Sequence, residues 1–176
     1  MQREQFQQLV SRAAAVCARG ELVVFGSQCV HALTVSPPAE VLVSVECDLW
    51  LGEQGEVAAR LTAELGKDSA FAKTMGVYVD VLPAELPMLP EGWEQRLVPC
   101  AVADVTARCL EVHDLVVSKL AAGRLKDYEF IAAMLMAKLA RAEEVANRIQ
   151  SFRELRTRAW LLARLQIAAA ATDVQL

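Results

Sequence analysis

Apolar residues at Phe6, Leu9, Val10, Ala13, Ala14 and Cys17 recur at helical spacing, and with Gly20 as a stop they predict a helix from Arg3 to Arg19. Glu21 to Phe25 is a β-branched and aromatic run cut off by Gly26-Ser27, and helical spacing then resumes to Thr34, ahead of Pro37 and Pro38. The predicted unit is strand, tight turn, helix. Val41 to Trp50 alternates, with Val41, Val43, Val45, Cys47 and Leu49 on one face and Leu42, Ser44, Glu46, Asp48 and Trp50 on the other. Glu46 and Asp48 therefore project side by side. Helical spacing over Glu56 to Leu65 is followed by a second alternating run, Val77 to Leu82, in which Asp80 stands on the more polar face.

The Pro-rich segment Pro83 to Pro90 predicts a loop, and Arg96 to Val102 and Ala107 to Val112 predict short strands. After His113 the pattern is helical throughout: one helix ending near Gly123, then Tyr128 to Leu139, Glu143 to Phe152 and Thr157 to Ala170. Strands mixed with helices and then helices alone predict an α/β or α+β fold, with a mixed sheet of roughly four to five strands flanked by helices. Residues 1–112 would form this core, and residues 113–176 a helical region packed on it and closing one side of a cleft.

At 176 residues, 55% hydrophobic and 23% charged, the chain has the length of one domain and enough apolar surface for a proper core. The apolar stretch from Trp160 to Ala171 is interrupted by Arg164 and Gln166, too short for a membrane span. Five cysteines without a CxxC pair read as free thiols in a reducing cytoplasm, and with only His31 and His113 a structural zinc site has little support. The net charge of −4 argues against a nucleic-acid coat over the whole surface, but the charge is unevenly spread. Residues 1–112 carry 8 Lys or Arg against 15 Asp or Glu, and residues 113–176 carry 10 against 7. An acidic front half is joined to a basic back half.

Four features coincide: Gly26-Ser27 at a strand-to-helix turn, Glu46 and Asp48 on one strand, Asp80 on another, and the basic helical half. A Gly-Ser turn is more often only a turn, and a carboxylate pair at i and i+2 is more often a solvated edge face. Like charges placed together nevertheless repel unless a cation or proton intervenes, and carboxylates are hard oxygen ligands suited to Mg²⁺ or Mn²⁺. A third carboxylate, Asp80, could complete a two-metal site. His113-Asp114 reads as a helix N-terminus, with Asp114 favourably placed against the dipole.

VVFGSQ (Val23 to Gln28), VECDLW (Val45 to Trp50) and VYVDV (Val77 to Val81) together resemble the signature of minimal nucleotidyltransferases of the DNA polymerase β superfamily. The likeness is nearest to an uncharacterised bacterial branch with segments similar to LPEGWEQRLV (Leu89 to Val98) and HDLVVSKLAAGRLKDYEF (His113 to Phe130). Arg124, Lys126 and Asp127 also resemble the Arg-x-Lys-Asp motif of AbiE-type toxin nucleotidyltransferases. The resemblance implies that Glu46, Asp48 and Asp80 are catalytic and bind Mg²⁺ or Mn²⁺. It implies that Gly26, Ser27, Lys119, Arg124 and Lys126 bind a nucleoside triphosphate. The implied activity is nucleotidyl transfer to a hydroxyl of RNA, protein or a small molecule, with a cognate partner protein if the chain serves a toxin–antitoxin or defence module. The first carboxylate is Glu46 where the family more often has Asp, which keeps open a catalytically degenerate, binding or antitoxin-like alternative.

Overall fold

The computed structural model describes residues 1–52, 55–85 and 88–172. Helix α1 (Arg3–Cys17) leads into β1 (Glu21–Phe25), which ends at Gly26, where a 3-10 turn (Gly26–Cys29) runs into the short α2 (Val30–Leu33). β2 (Glu46–Trp50), α3 (Glu56–Leu65), α4 (Ala70–Met75) and β3 (Tyr78–Val81) follow, then the hairpin of β4 (Val98–Val102) and β5 (Val105–Cys109). After it come α5 (Val112–Ala122), α6 (Leu125–Met136), α7 (Ala142–Ile149) and α8 (Leu155–Ala170).

The strands form one mixed sheet in the order β3-β2-β1-β5-β4. β1 is antiparallel to β2 and parallel to β5, β2 is parallel to β3, and β4 is antiparallel to β5. This is the α+β architecture that the pattern predicts. Alternation along β2 buries Cys47 and Leu49 in the core and leaves Glu46, Asp48 and Trp50 on the opposite face. Helix α1 packs on four of the strands with Phe6, Leu9, Val10 and Ala13 fully buried, at roughly 1.5–3 kcal/mol for each of the larger side chains. Helix α5 packs on the Gly26–Cys29 turn and α6 on the turn at Ala39–Leu42, so the helical region closes over the end of the sheet where β1 stops.

Several boundaries differ from the expectation. The strand predicted from Val41 begins only at Glu46, because Pro37 and Pro38 lead into a 3-10 turn (Ala39–Leu42) and the carbonyls of Leu42, Ser44 and Glu46 find partners outside the sheet. Gln28 Nε2 donates to the carbonyls of Ser44 and Glu46, both at 3.1 Å, and the α-amino group of Met1 donates to those of Leu42 and Ser44. β5 stops at Cys109, short of Val112, because Glu111 caps α5 by accepting from the backbone N–H of His113 at 3.0 Å. A 3-10 turn at Trp93–Arg96 delays β4 to Val98. Helix α6 begins at Leu125 rather than Tyr128, since the Asp127 carboxylate accepts from the Arg124 N–H at 3.1 Å. The unpredicted α4 is bounded by Ser69, whose hydroxyl accepts from Ala72 N–H at 3.0 Å, and by Gly76 in the left-handed region. Of the loop predicted at Pro83 to Pro90, Leu86 and Pro87 lie outside the described residues.

Asp114 does more than complement a helix dipole. It is fully buried, receives Nε and Nη2 of Arg96 at 2.8 and 3.0 Å, and has Arg148 Nε at 3.3 Å from Oδ1. This cluster ties the segment before β4 and helix α7 to the start of α5. All five cysteines are free and buried, and no described helix is long and apolar enough to cross a membrane. Removing the acid takes away the buried carboxylate that Arg96 and Arg148 share, so Asp114→Ala should lower unfolding free energy by about 3 kcal/mol, read as the shift of a urea midpoint.

Candidate active site

Register brings the acidic residues together. Asp48 lies opposite Asp80 on β3 and Phe25 on β1, while Glu46 lies opposite Tyr78. Paired residues of neighbouring strands share a face, so Asp48 and Asp80 stand side by side on one wall. Glu46, Asp48, Asp80, Gly26, Ser27, Lys119, Arg124 and Lys126 all line a single cavity of about 520 Å³, within the ~300–1,000 Å³ range of small-molecule sites. A larger and more open depression of about 1040 Å³ lies between α1, α3, α4 and the tip of the β4–β5 hairpin. It contains none of these residues.

Gly26 sits at φ +68° immediately after β1, and a Cβ built there would overlap the Asp48 carboxylate. Its first structural task is therefore to leave room for Asp48, a nearer reason than approach to a phosphate. Burial, followed by the charges of Glu46 and Asp80, pushes the Asp48 carboxyl up to about 6, against the opposing pull of Lys119 and Arg124. Ser27 is buried beside it and accepts from Gln28 Nε2 at 3.4 Å.

Glu46 has partners of its own. Its Oε2 accepts from the Tyr78 hydroxyl at 3.1 Å and its Oε1 from Lys126 Nζ at 3.0 Å. Burial raises this carboxyl, but the hydrogen bonds and charge of Lys126 and the Tyr78 hydroxyl outweigh it and hold it below the usual range. Asp80 is exposed at the mouth of the cavity.

Facing the acids are three cations from the α5–α6 corner. Lys119 and Arg124 converge on the fully buried Asp127, which accepts from Lys119 Nζ at 3.3 Å, Arg124 Nε at 2.7 Å and Arg124 Nη2 at 3.1 Å. Burial pushes Asp127 up, yet Arg124 and Lys119 together hold it below the usual carboxylate range. Lys119, its Nζ 4.4 Å from the centre of the Phe130 ring, is lowered chiefly by burial. Asp127 and Tyr78 were not among the predicted site residues. The spacing Arg124-x-x-Asp127 is that of a helix-capping pair, and the alternation of Tyr78 with Asp80 places both on one face.

The residues suit a divalent cation chemically. Three hard carboxylates share one wall, and the Gly26 cradle, which a Cβ would fill, keeps Asp48 oxygens at the cavity surface. Among the described residues no three His, Cys, Asp or Glu side chains are yet drawn together tightly enough to hold an ion. Glu46 is engaged with Lys126 instead.

The basic half is largely spent on internal contacts. Of the five arginines between Arg148 and Arg164, Arg148 lies against Asp114 and Glu111, and Arg158 donates to the carbonyls of Phe152 and Arg153. Arg164 Nη1 donates to the carbonyls of Leu120 and Ala121 at 2.6 and 3.2 Å, with its guanidinium 4.1 Å from the Trp160 ring centre. Arg153 and Arg156 remain exposed. A broad phosphate-binding surface made of all five does not form.

A carboxyl whose folded pKa of about 6 exceeds its unfolded 3.8 binds more protons when folded, so its contribution to stability falls as pH rises from about 4 to about 6. Asp48→Asn should therefore raise the melting temperature at pH 7, by the equivalent of up to ~3 kcal/mol, and the advantage should vanish near pH 4. Gly26→Ala should cost about 1–2 kcal/mol for its left-handed backbone plus a further cost from displacing Asp48. In the Asp48→Ala background that second part should disappear, giving a non-additive double-mutant cycle in urea melts.

A family model described as "Nucleotidyltransferase of unknown function (DUF6036)" matches residues 4–164. No curated protein and no solved structure matches the chain. The matched span takes in the whole sheet, the acidic wall and the corner that carries the cations, so the chain belongs to this family of nucleotidyltransferases.

Proposed function

We propose that the protein is a metal-dependent enzyme that moves a nucleotidyl group from a nucleoside triphosphate to an acceptor hydroxyl. The observation that carries this reading is the opposition of three carboxylates and three cations across one cavity, beside a glycine turn at the end of a strand. Glu46, Asp48 and Asp80 would hold Mg²⁺ or Mn²⁺, which when bound supplies charge neutralisation at the transferring phosphoryl group. Lys119 and Arg124, fixed by Asp127, meet the phosphate oxygens with side chains whose positions are set before substrate arrives, so little reorganisation is needed as charge develops. The turn at Gly26 and Ser27 adds backbone and hydroxyl donors on the same side. Asp80, the most open of the acids, is placed to take the proton of the acceptor hydroxyl.

The acceptor is an RNA end, a protein hydroxyl or a small molecule. The Arg-x-Lys-Asp likeness supports a toxin–antitoxin or defence role with a cognate partner protein. The ion pair between Lys126 and Glu46 favours a second reading, a degenerate site that binds without transfer. Incubation of purified protein with each α-labelled nucleoside triphosphate, Mg²⁺ or Mn²⁺ and cell extract separates the two. The enzyme reading expects one labelled species, lost in Asp80→Asn and Asp48→Asn at unchanged or raised melting temperature. Triphosphate binding without any label transfer would establish the second reading.

A further inference from the structure

The three cations of the cavity are held in two different ways. Lys119 and Arg124 end on Asp127, whose two oxygens receive four donors between them and which is fully buried. Moving either cation would leave part of a buried carboxylate uncompensated. Lys126 instead ends on Glu46, a member of the acidic wall, with 56% of its side chain exposed. Letting go of Glu46 returns its ammonium to water and strands nothing. The other Glu46 oxygen stays with Tyr78. Lys126 is thus the cation that can change partner without disturbing the corner that carries it.

We propose that Lys126 is an exchangeable counter-ion: it neutralises Glu46 until a divalent cation takes that carboxylate, and the displaced ammonium then pairs with the phosphates of the nucleotide. This rests on the reading of Glu46, Asp48 and Asp80 as the metal-binding wall. The consequence is coupling. A cation that takes Glu46 leaves Lys126 in need of an anion, and a polyphosphate already seated on Lys119 and Arg124 offers the displaced ammonium that anion and so favours the cation's entry. By linkage each raises the affinity for the other to the same extent. Lys119 and Arg124 form a permanent phosphate seat, and Lys126 a conditional one that engages only when metal and nucleotide are both present. An ion pair this exposed is weak enough for a divalent cation to displace, yet it lowers the affinity for metal alone.

Calorimetric titration of the full chain with Mn²⁺ alone tests this on the wild type, Lys126→Met, Glu46→Gln and the double variant. Lys126→Met should bind Mn²⁺ roughly two- to fivefold more tightly than wild type, the range expected for releasing one exposed ion pair. In the Glu46→Gln background, where the lysine has no carboxylate to release, most of that gain should disappear. With EDTA present, Lys126→Met should bind inorganic triphosphate about as well as wild type, whereas Arg124→Met should bind it markedly less well. Equal Mn²⁺ affinity for wild type and Lys126→Met, or the same gain with and without Glu46, overturns the exchange. Asp48→Asn separates this failure from that of the underlying reading. Mn²⁺ binding lost in Asp48→Asn but indifferent to Lys126 overturns the exchange alone, whereas binding that is absent from wild type or unaffected by Asp48→Asn overturns both. Lys126 lies on the exposed side of its helix, so its replacement should lower the melting temperature by no more than about 2–4 °C, the equivalent of one exposed ion pair.

Discussion

Carboxylates held side by side on paired strands, one of them largely buried, set the charge that the surrounding elements have to answer. Asp48 is the centre of that crowding, with Glu46 two residues before it and Asp80 beside it across the β2–β3 pairing. The sheet cannot relieve the repulsion, because the alternation that buries Cys47 and Leu49 forces Glu46 and Asp48 onto the other face. Relief comes from outside the sheet, from Lys119, Arg124 and Lys126. Two of these cations are themselves held by a second acid behind them, Asp127. Charge therefore alternates in layers from β2 outward: acidic wall, cationic row, buried acid. The α5–α6 corner that carries these cations is anchored by the buried side chains of Leu115, Val116, Phe130 and Ile131.

Much of this was legible in the order of residues. The alternation from Glu46 to Trp50 and from Tyr78 to Val81 is a local property of the chain, and it assigns faces correctly whatever surrounds the strands. The Gly26-Ser27 turn is legible for the same reason. What escaped depends on partners remote in sequence. Val41 to Val45 alternate as a strand does, yet the carbonyls of Leu42 and Ser44 are taken by Gln28 and by the amino group of Met1, contacts that no window of ten residues contains. Asp114 looks like an ordinary acid in the first turn of a helix, and Asp127, though part of the Arg-x-Lys-Asp segment, stands just ahead of the predicted helix with no partner evident. Their importance arises from Arg96, Arg148 and Lys119, brought to them by packing.

The asymmetry of charge along the chain has a similar resolution. A basic back half suggests a surface for a polyanion, but much of its positive charge is engaged by internal acids or by its own backbone. Arg148 answers Asp114 and Glu111, Arg158 caps the turn at Phe152 and Arg153, and Arg124 answers Asp127. The positive residues left over are those at the cavity and a few exposed ones such as Arg153 and Arg156. Net charge by segment thus reflects partners found mainly within the helical half, with Arg148–Glu111 and Lys126–Glu46 crossing to the front half, better than it describes an external partner.

Arg164 places its guanidinium on the last carbonyls of α5, in the space left by the missing side chain of Gly123, one residue before Arg124. The corner that presents the cations is therefore buttressed from α8, the last helix described. On a ribosome, which delivers the chain from its N-terminus, β1, β2 and β3 emerge long before that buttress exists. The acidic wall is present early, but its counterpart is braced only once α8 has followed, more than 70 residues after β3. Competence of the cavity is in this way tied to the length of chain already made, and a nascent fragment carries the carboxylates without the fully braced cationic corner that opposes them.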